Sequence, residues 1–367
     1  GASQNTAVGH TALGALTTGG NNTAVGSAAL TSCTVGYENV AVGQASLYDN
    51  NSNYNTAVGR LSGRFCTGEQ NTYVGFSAGK GAAGAEANNV GVGSSALLAV
   101  TSATGNVCVG QSAGVAITTS TDNVILGRSA FAAADAGQND NIVIGANAGL
   151  SMNASACDSN VIIGSAAATG GIAAIKHCIV IGTSAMNSTG TDAQTGTIAI
   201  GHEALTALTN GSGNTAIGYN AGLLNTTGAS NTYIGYAVAD ATHVDSTGNV
   251  AIGKNAFGGS HTGSASVGNT AVGEGAMGAG AMNGALRNTA VGYNAMTGLL
   301  QGDDNVAVGE YAGGLIEDGI GNVCVGRNAG DSITDGGYNI SIGSQSDVAA
   351  AGYRQTVVGY SSEATAT

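Results

Sequence analysis

The chain has no proline, no tryptophan and only four phenylalanines in 367 residues. So little bulk excludes a conventional packed interior, and alanine, valine, isoleucine and threonine must fill whatever core exists. Charge is scarce as well: charged residues are 8% of the chain, 22 acidic against 9 basic, for a formal net charge of −13 at pH 7. That sign repels phosphate backbones and acidic lipid, so nucleic acid is not an expected partner. No apolar run approaches the roughly 18 to 20 residues that a membrane helix needs, and the first residues lack the basic-then-apolar pattern of a secretion signal. No membrane insertion is expected in this segment. Helical spacing is missing too: nothing recurs at i, i+3, i+4 and i+7, and there are no capping signals. The six cysteines, Cys33, Cys66, Cys108, Cys157, Cys178 and Cys324, are dispersed. They form neither a disulfide framework nor a metal-ligand spacing and read as small buried hydrophobes.

What is present is a repeat. The pentad Asn22-Thr23-Ala24-Val25-Gly26 returns, with small variations, twenty-one times between Asn5 and Gly359, at steps of 16 to 20 residues. Self-similarity at a short period marks a solenoid, in which one coil cannot bury its apolar face until neighbours stack on it. An apolar share of 43% is too high, and the period too regular, for disorder. The expected organisation is one continuous solenoid domain over 1–367. Because the repeats are already in register at Asn5 and the last closes at Gly359, the chain reads as an excerpt of a longer polypeptide.

Position one of the pentad is asparagine in eighteen copies, the exceptions being Cys178, Thr197 and Gln355. Position two is β-branched throughout, and position four is Val or Ile in twenty copies, with Leu126 the exception. Such residues favour extended backbone, and positions two and four share a face because side chains alternate at period two. We expect that face inside. Position three, alanine in ten copies, falls on the other face, and apolar residues on both sides predict a strand buried twice over. The glycine at position five marks a bend. Three residues beyond it stands alanine in sixteen copies, a second small residue held inside. The slots between carry much of the charge, His10, Arg60, Arg128, Lys254, Glu274, Glu310 and Arg327, and face water. Segments such as Thr17-Thr18-Gly19-Gly20 have turn chemistry and absorb the length variation.

These features predict an all-β parallel β-solenoid or β-roll of about 21 coils, with two short strands per coil. Identical residues then stack in ladders along the axis, and an asparagine ladder suits the bend, since the side-chain amide can bond both the next coil's amide and local backbone. One coil encloses few and small side chains, so a lone rod is marginal. Packing of the position-three or post-glycine alanine face against further copies of the chain would add a second buried layer with closed symmetry. Between residues 123 and 182, Ile125, Val143, Ile162 and Val180 at position three predict larger buried side chains than near either end.

The pattern Asn-Thr-Ala-Val-Gly-x-x-Ala, for example Asn214-Thr215-Ala216-Ile217-Gly218-Tyr219-Asn220-Ala221, resembles the head repeat of trimeric autotransporter adhesins, the YadA-like head. Similar repeats occur in phage tail-fibre and other virion fibre proteins. The resemblance covers essentially the whole chain. It implies a left-handed parallel β-roll, a homotrimer, and an extracellular adhesive or receptor-binding fibre. The longer period and the threonine-glycine loops depart from the bacterial heads and favour the viral form, on the virion surface, over the bacterial cell surface.

Candidate chemistry is thin. Gly75-Phe76-Ser77-Ala78-Gly79 and Gly110-Gln111-Ser112-Ala113-Gly114 match the hydrolase elbow G-x-S-x-G, yet both are the repeat with serine in a variable slot. His202-Glu203 lacks the second histidine of a zinc-protease helix. His10, His177, His202, His243 and His261 fall at unrelated phases. The pairs Asp303-Asp304 and Glu317-Asp318 lack the pattern of a calcium loop. No catalytic residue, cofactor or metal is therefore expected. A glycan depolymerase on a β-helix would need clustered carboxylates, which the scattered acids do not supply. Tyr219, Tyr236, Tyr293 and Tyr360 occupy the slot after the anchor glycine, and Tyr311 the slot beside it. They read first as rings covering the neighbouring coil, with contact to a host receptor or glycan as the alternative.

Overall fold

The computed structural model describes residues 1–364 apart from 171–173, 189, 191–192, 243, 261–262 and 279. It is an all-β parallel solenoid of about twenty turns, with no helix among the described residues. The chain divides into two compact units, Gly1–Thr183 and Ser184–Thr367. Both are built from the same coil.

In the first unit three-residue strands recur from Thr6–Val8 through Thr23–Val25 and Val40–Val42 to Ile179–Ile181. Each pairs in parallel with the next in register, Thr6 on Thr23, Ala7 on Ala24, Val8 on Val25, and so on to Ile163 on Ile181. The second unit repeats this from Ile198–Ile200 to Thr356–Val358, beginning with Ile198 on Thr215 and ending with Val358 on Ile342. Pentad positions two to four are therefore the strand, and every position stacks on its own equivalent.

The direction of the side chains reverses the expectation. Position three is the one that points inward: Ala24, Ala41, Cys108, Ile125 and Ala199 are fully buried. Positions two and four face outward and are half-buried to exposed, as in Thr23–Val25 and Val107–Val109. The physical reason is space. The lumen of one coil takes a small side chain at the strand, whereas β-branched residues serve equally well on an outer sheet surface. The interior is completed by the post-glycine alanine (Ala29, Ala113), the residue after it (Leu30, Phe131) and a residue three further on (Cys33, Ile117), all fully buried.

Among the described residues the second strand predicted for each coil, after the anchor glycine, does not form; the only strands outside the pentads are the two-residue Ile175–Lys176 and Gln194–Thr195, just before a pentad. After Gly26, Ala28 and Leu30 are left-handed, with φ of 60° and 51°, and the pattern repeats at Ala45 and Leu47 and at Ser95 and Leu97. Alternating left- and right-handed residues curl the chain tightly. Ala28 N still donates to His10 O of the preceding coil (2.8 Å), and Leu30 N to Ser46 O of the next (3.1 Å). This side of the coil is thus a ladder of bonded turns rather than a strand. The bend before it belongs to Gly26 because φ is +133° and a Cβ there would lie 2.7 Å from the carbonyl carbon and oxygen of Gly43.

The large residues expected between 123 and 182 are buried, Ile125, Val143, Ile162 and Val180 among them, while position three nearer the ends holds Ala24, Ala41 and Ser341, with Val357 in the last coil the exception. Bulk is not confined to that stretch, since Tyr73, Tyr233 and Phe257 are buried elsewhere. Glycines make the room: a Cβ on Gly79 would lie 2.3 Å from the Tyr73 ring, and one on Gly114 would lie 2.8 Å from Ile117 Cδ1.

Asparagine forms the ladder expected of it. Asn106 Nδ2 donates to Asn89 Oδ1 (3.1 Å) and to Ser120 O (2.8 Å), while its Oδ1 accepts from Asn123 N (3.1 Å) and Nδ2 (2.9 Å). The second unit repeats the arrangement from Asn214 to Asn339.

Candidate functional site

Surfaces, rather than a cleft, are what this fold presents. The outward strand face is a row of Thr, Val and Ile in register, with Val109, Ile142, Ile252 and Ile342 exposed. Successive rows sit at the spacing of parallel strands, about 4.8 Å. The result in each unit is a β-branched, largely apolar strip. Extended apolar surface of this kind marks an interaction surface more often than bare solvent-facing sheet.

The tyrosines stand on another side of the coil. Tyr219 stacks on Tyr236 (centroids 5.1 Å apart, planes 10° apart) and on His202 (5.2 Å, 8°), one ring per coil. Tyr219 thus has a ring on each side and leaves its edge to solvent. The next two coils carry Lys254 and Glu274 in the same slot, paired at 3.1 Å. Tyr293 follows, edge-on to Tyr311 at 5.4 Å, and the Tyr311 hydroxyl beside it raises the Tyr293 phenol above its ordinary pKa. Tyr311 also lines a shallow groove with Leu315, Asn328 and Asp331. Tyr360 in the last coil is the most exposed of the five. The structure therefore joins the predicted tyrosines into two groups, with Tyr360 in a third place. The charged slots, His10, Arg60, Arg128, Lys254, Glu274, Glu310 and Arg327, are exposed as expected.

The remaining candidates are spread over separate coils. Ser77 and Ser112 stand two residues after their anchor glycines in left-handed backbone (φ 55° and 56°), and Ser77 is buried. Asp304 is held by Arg287 through two bonds of 2.7 and 2.8 Å, which lower its pKa, and Asp303 Oδ1 caps Leu286 N at 2.8 Å. Glu317 and Asp318 are exposed, and the carbonyl of Glu317 accepts from the amides of Leu300, Gln301 and Gly302. His10, His177 and His202 are exposed; His243 and His261 lie outside the described residues. Among the described residues no three His, Cys, Asp or Glu side chains come together as a metal site. Burial pushes the Cys324 thiol up to about 12 and raises that of Cys108 further. Both are thiols packed as hydrophobes.

One residue was missed. Glu86 is 1% exposed inside the first unit, although acids of a repeat are expected in loops. Its signal was available: three residues before the ladder asparagine, other coils hold Gly36, Gly68, Ala103, Ser120 or Gln138, and none holds an acid.

Comparison with known protein families and with curated proteins finds no match to this chain, so its function is argued from the fold and its surfaces.

Proposed function

We propose that this chain is a non-enzymatic segment of a homotrimeric extracellular fibre, a shaft of a phage or virion tail fibre that supports attachment to a host receptor. The observation that carries this reading is the outward strand face. A lone chain leaves a continuous strip of Val, Ile and Thr in water over many coils, and covering it with two further copies of the same strip satisfies it by closed symmetry. The face is other than the one expected, since position three is spent inside each chain. The number three rests on the resemblance of the repeat to adhesin heads and fibre proteins. A coil bonded to its neighbour at the strand, the turn ladder and the asparagine resists shear between coils, which is what a load-bearing shaft requires.

A second reading, the adhesive head of a bacterial trimeric autotransporter adhesin, is favoured by the row His202, Tyr219 and Tyr236 on an exposed flank. Binding of the purified chain to a glycan array and to intact host cells separates the two. The shaft reading predicts no retention by the flanks, unchanged in Tyr219→Ala and Tyr236→Ala. Retention that both substitutions abolish would select the adhesive head.

A further inference from the structure

Glu86 stands where the chain crosses the interior just before a ladder asparagine. Its carbonyl does the ordinary work of that place, accepting from Asn71 Nδ2 at 3.1 Å. The carboxyl, however, is enclosed in the lumen. Oε1 accepts from Thr67 N at 3.2 Å, while Oε2 has no hydrogen-bond partner. The same stretch of interior holds Tyr73, whose buried hydroxyl is also unpartnered, and Cys66. Cys66 comes from the coil before and Tyr73 from the coil of Glu86 itself. Cys66 acts on the carboxyl and the carboxyl acts on Tyr73; burial raises the pKa of both the thiol and the phenol, so both are neutral at physiological pH, and no lysine, arginine or histidine is among the groups that act on Glu86.

We propose that Glu86 makes this coil a proton-controlled weak point: with the carboxyl protonated the coil is closed, and ionisation loosens residues 64–89 locally. A neutral acid in this lumen has no charge to compensate, and its O–H becomes a donor in a space that holds an unpartnered phenol oxygen. A carboxylate in the same place is a buried charge that has backbone amides and the Cys66 thiol about it but no counter-ion, and the cost of burial outweighs those bonds. Neighbouring coils stay fixed by their own strand pairs and asparagines, so the response is confined.

The direction of the pH dependence follows. Burial raises the Glu86 pKa from 4.5 to about 7. Below about 4.5 the acid is protonated in both the open and closed coil, and the closed form has no penalty. Between the two values the closed coil keeps a proton that the open coil releases, so stability falls as pH rises, and above about 7 the loss is complete.

Hydrogen exchange of the full chain between pH 5 and pH 8, corrected for the intrinsic dependence of exchange on pH, tests this. The opening constant of peptides within 64–89 should rise on the order of 50- to 100-fold over that range. Peptides within 303–343 should not follow, and Glu86→Gln should remove the rise. If Glu86→Gln does not fold, Glu86→Ala, which installs the residue found at Ala103, makes the same comparison. Equal profiles in wild type and variant, or loosening of 303–343 in step with 64–89, would overturn the proposal.

Discussion

A single asparagine side chain here serves three coils. Asn106 donates upstream to Asn89, reaches across its own bend to Ser120 O, and accepts from Asn123 downstream, all without exposure to water. Replacing it by alanine strands the Asn123 amide and the Ser120 carbonyl in a dry interior, so Asn106→Ala should cost roughly 2–4 kcal/mol. Asn5→Ala, at a half-buried rung that accepts only from Asn22, should cost less than half as much. Denaturant midpoints of the two variants check the order. The ladder was legible in the sequence because asparagine recurs at one phase and its amide has both donors and an acceptor. Glu86 was not: an acid among glycines and alanines looks like a loop residue until it is aligned by its distance to Asn89. The left-handed Leu30 and Phe131 were not legible either, since bulky side chains rarely adopt that conformation and do so here only because burial holds them.

At the scale of the coil, one strand and one ladder of turns carry different tolerances. The strand is ruled by its period of two: one residue inserted between Thr23 and Ala24 would turn Val25 into the lumen of a coil sized for alanine. Such an insertion should cost roughly 3 kcal/mol or more by overpacking and lost pairing. Insertion of Gly-Ser between Thr34 and Val35 should cost under about 1 kcal/mol, because loop closure depends weakly on length. Natural steps between anchor glycines already range from 16 to 20 residues. Thermal unfolding of both insertions makes the comparison. The strand itself was evident from alternating β-branched residues, but which face lay inside was not, since both faces are apolar. The smallness of position three held that information: a narrow lumen selects alanine, and an open face does not. The second strand failed because small residues after a glycine fit a left-handed turn as readily as an extended backbone.

For the molecule as a whole, a stack of narrow coils leaves an asymmetry between its inside and its outside. Each unit fills its lumen with small side chains and matched glycines, yet displays apolar residues along its own strand face, Val58, Val109 and Ile142 in the first and Ile252 and Val308 in the second. Charge does not interrupt that face; it collects in the slots after the anchor glycine and in the loops, where Lys254 pairs with Glu274 and Arg287 with Asp304. A fibre role requires that copies of this chain cover the apolar strip. The native mass in solution, from sedimentation equilibrium or light scattering, tests that requirement most directly. A mass of three times 35.2 kDa, falling to one chain when Val109 and Ile142 on the outward face are replaced by glutamate, is the result predicted. A stable, soluble species of 35.2 kDa for the unaltered chain would contradict it.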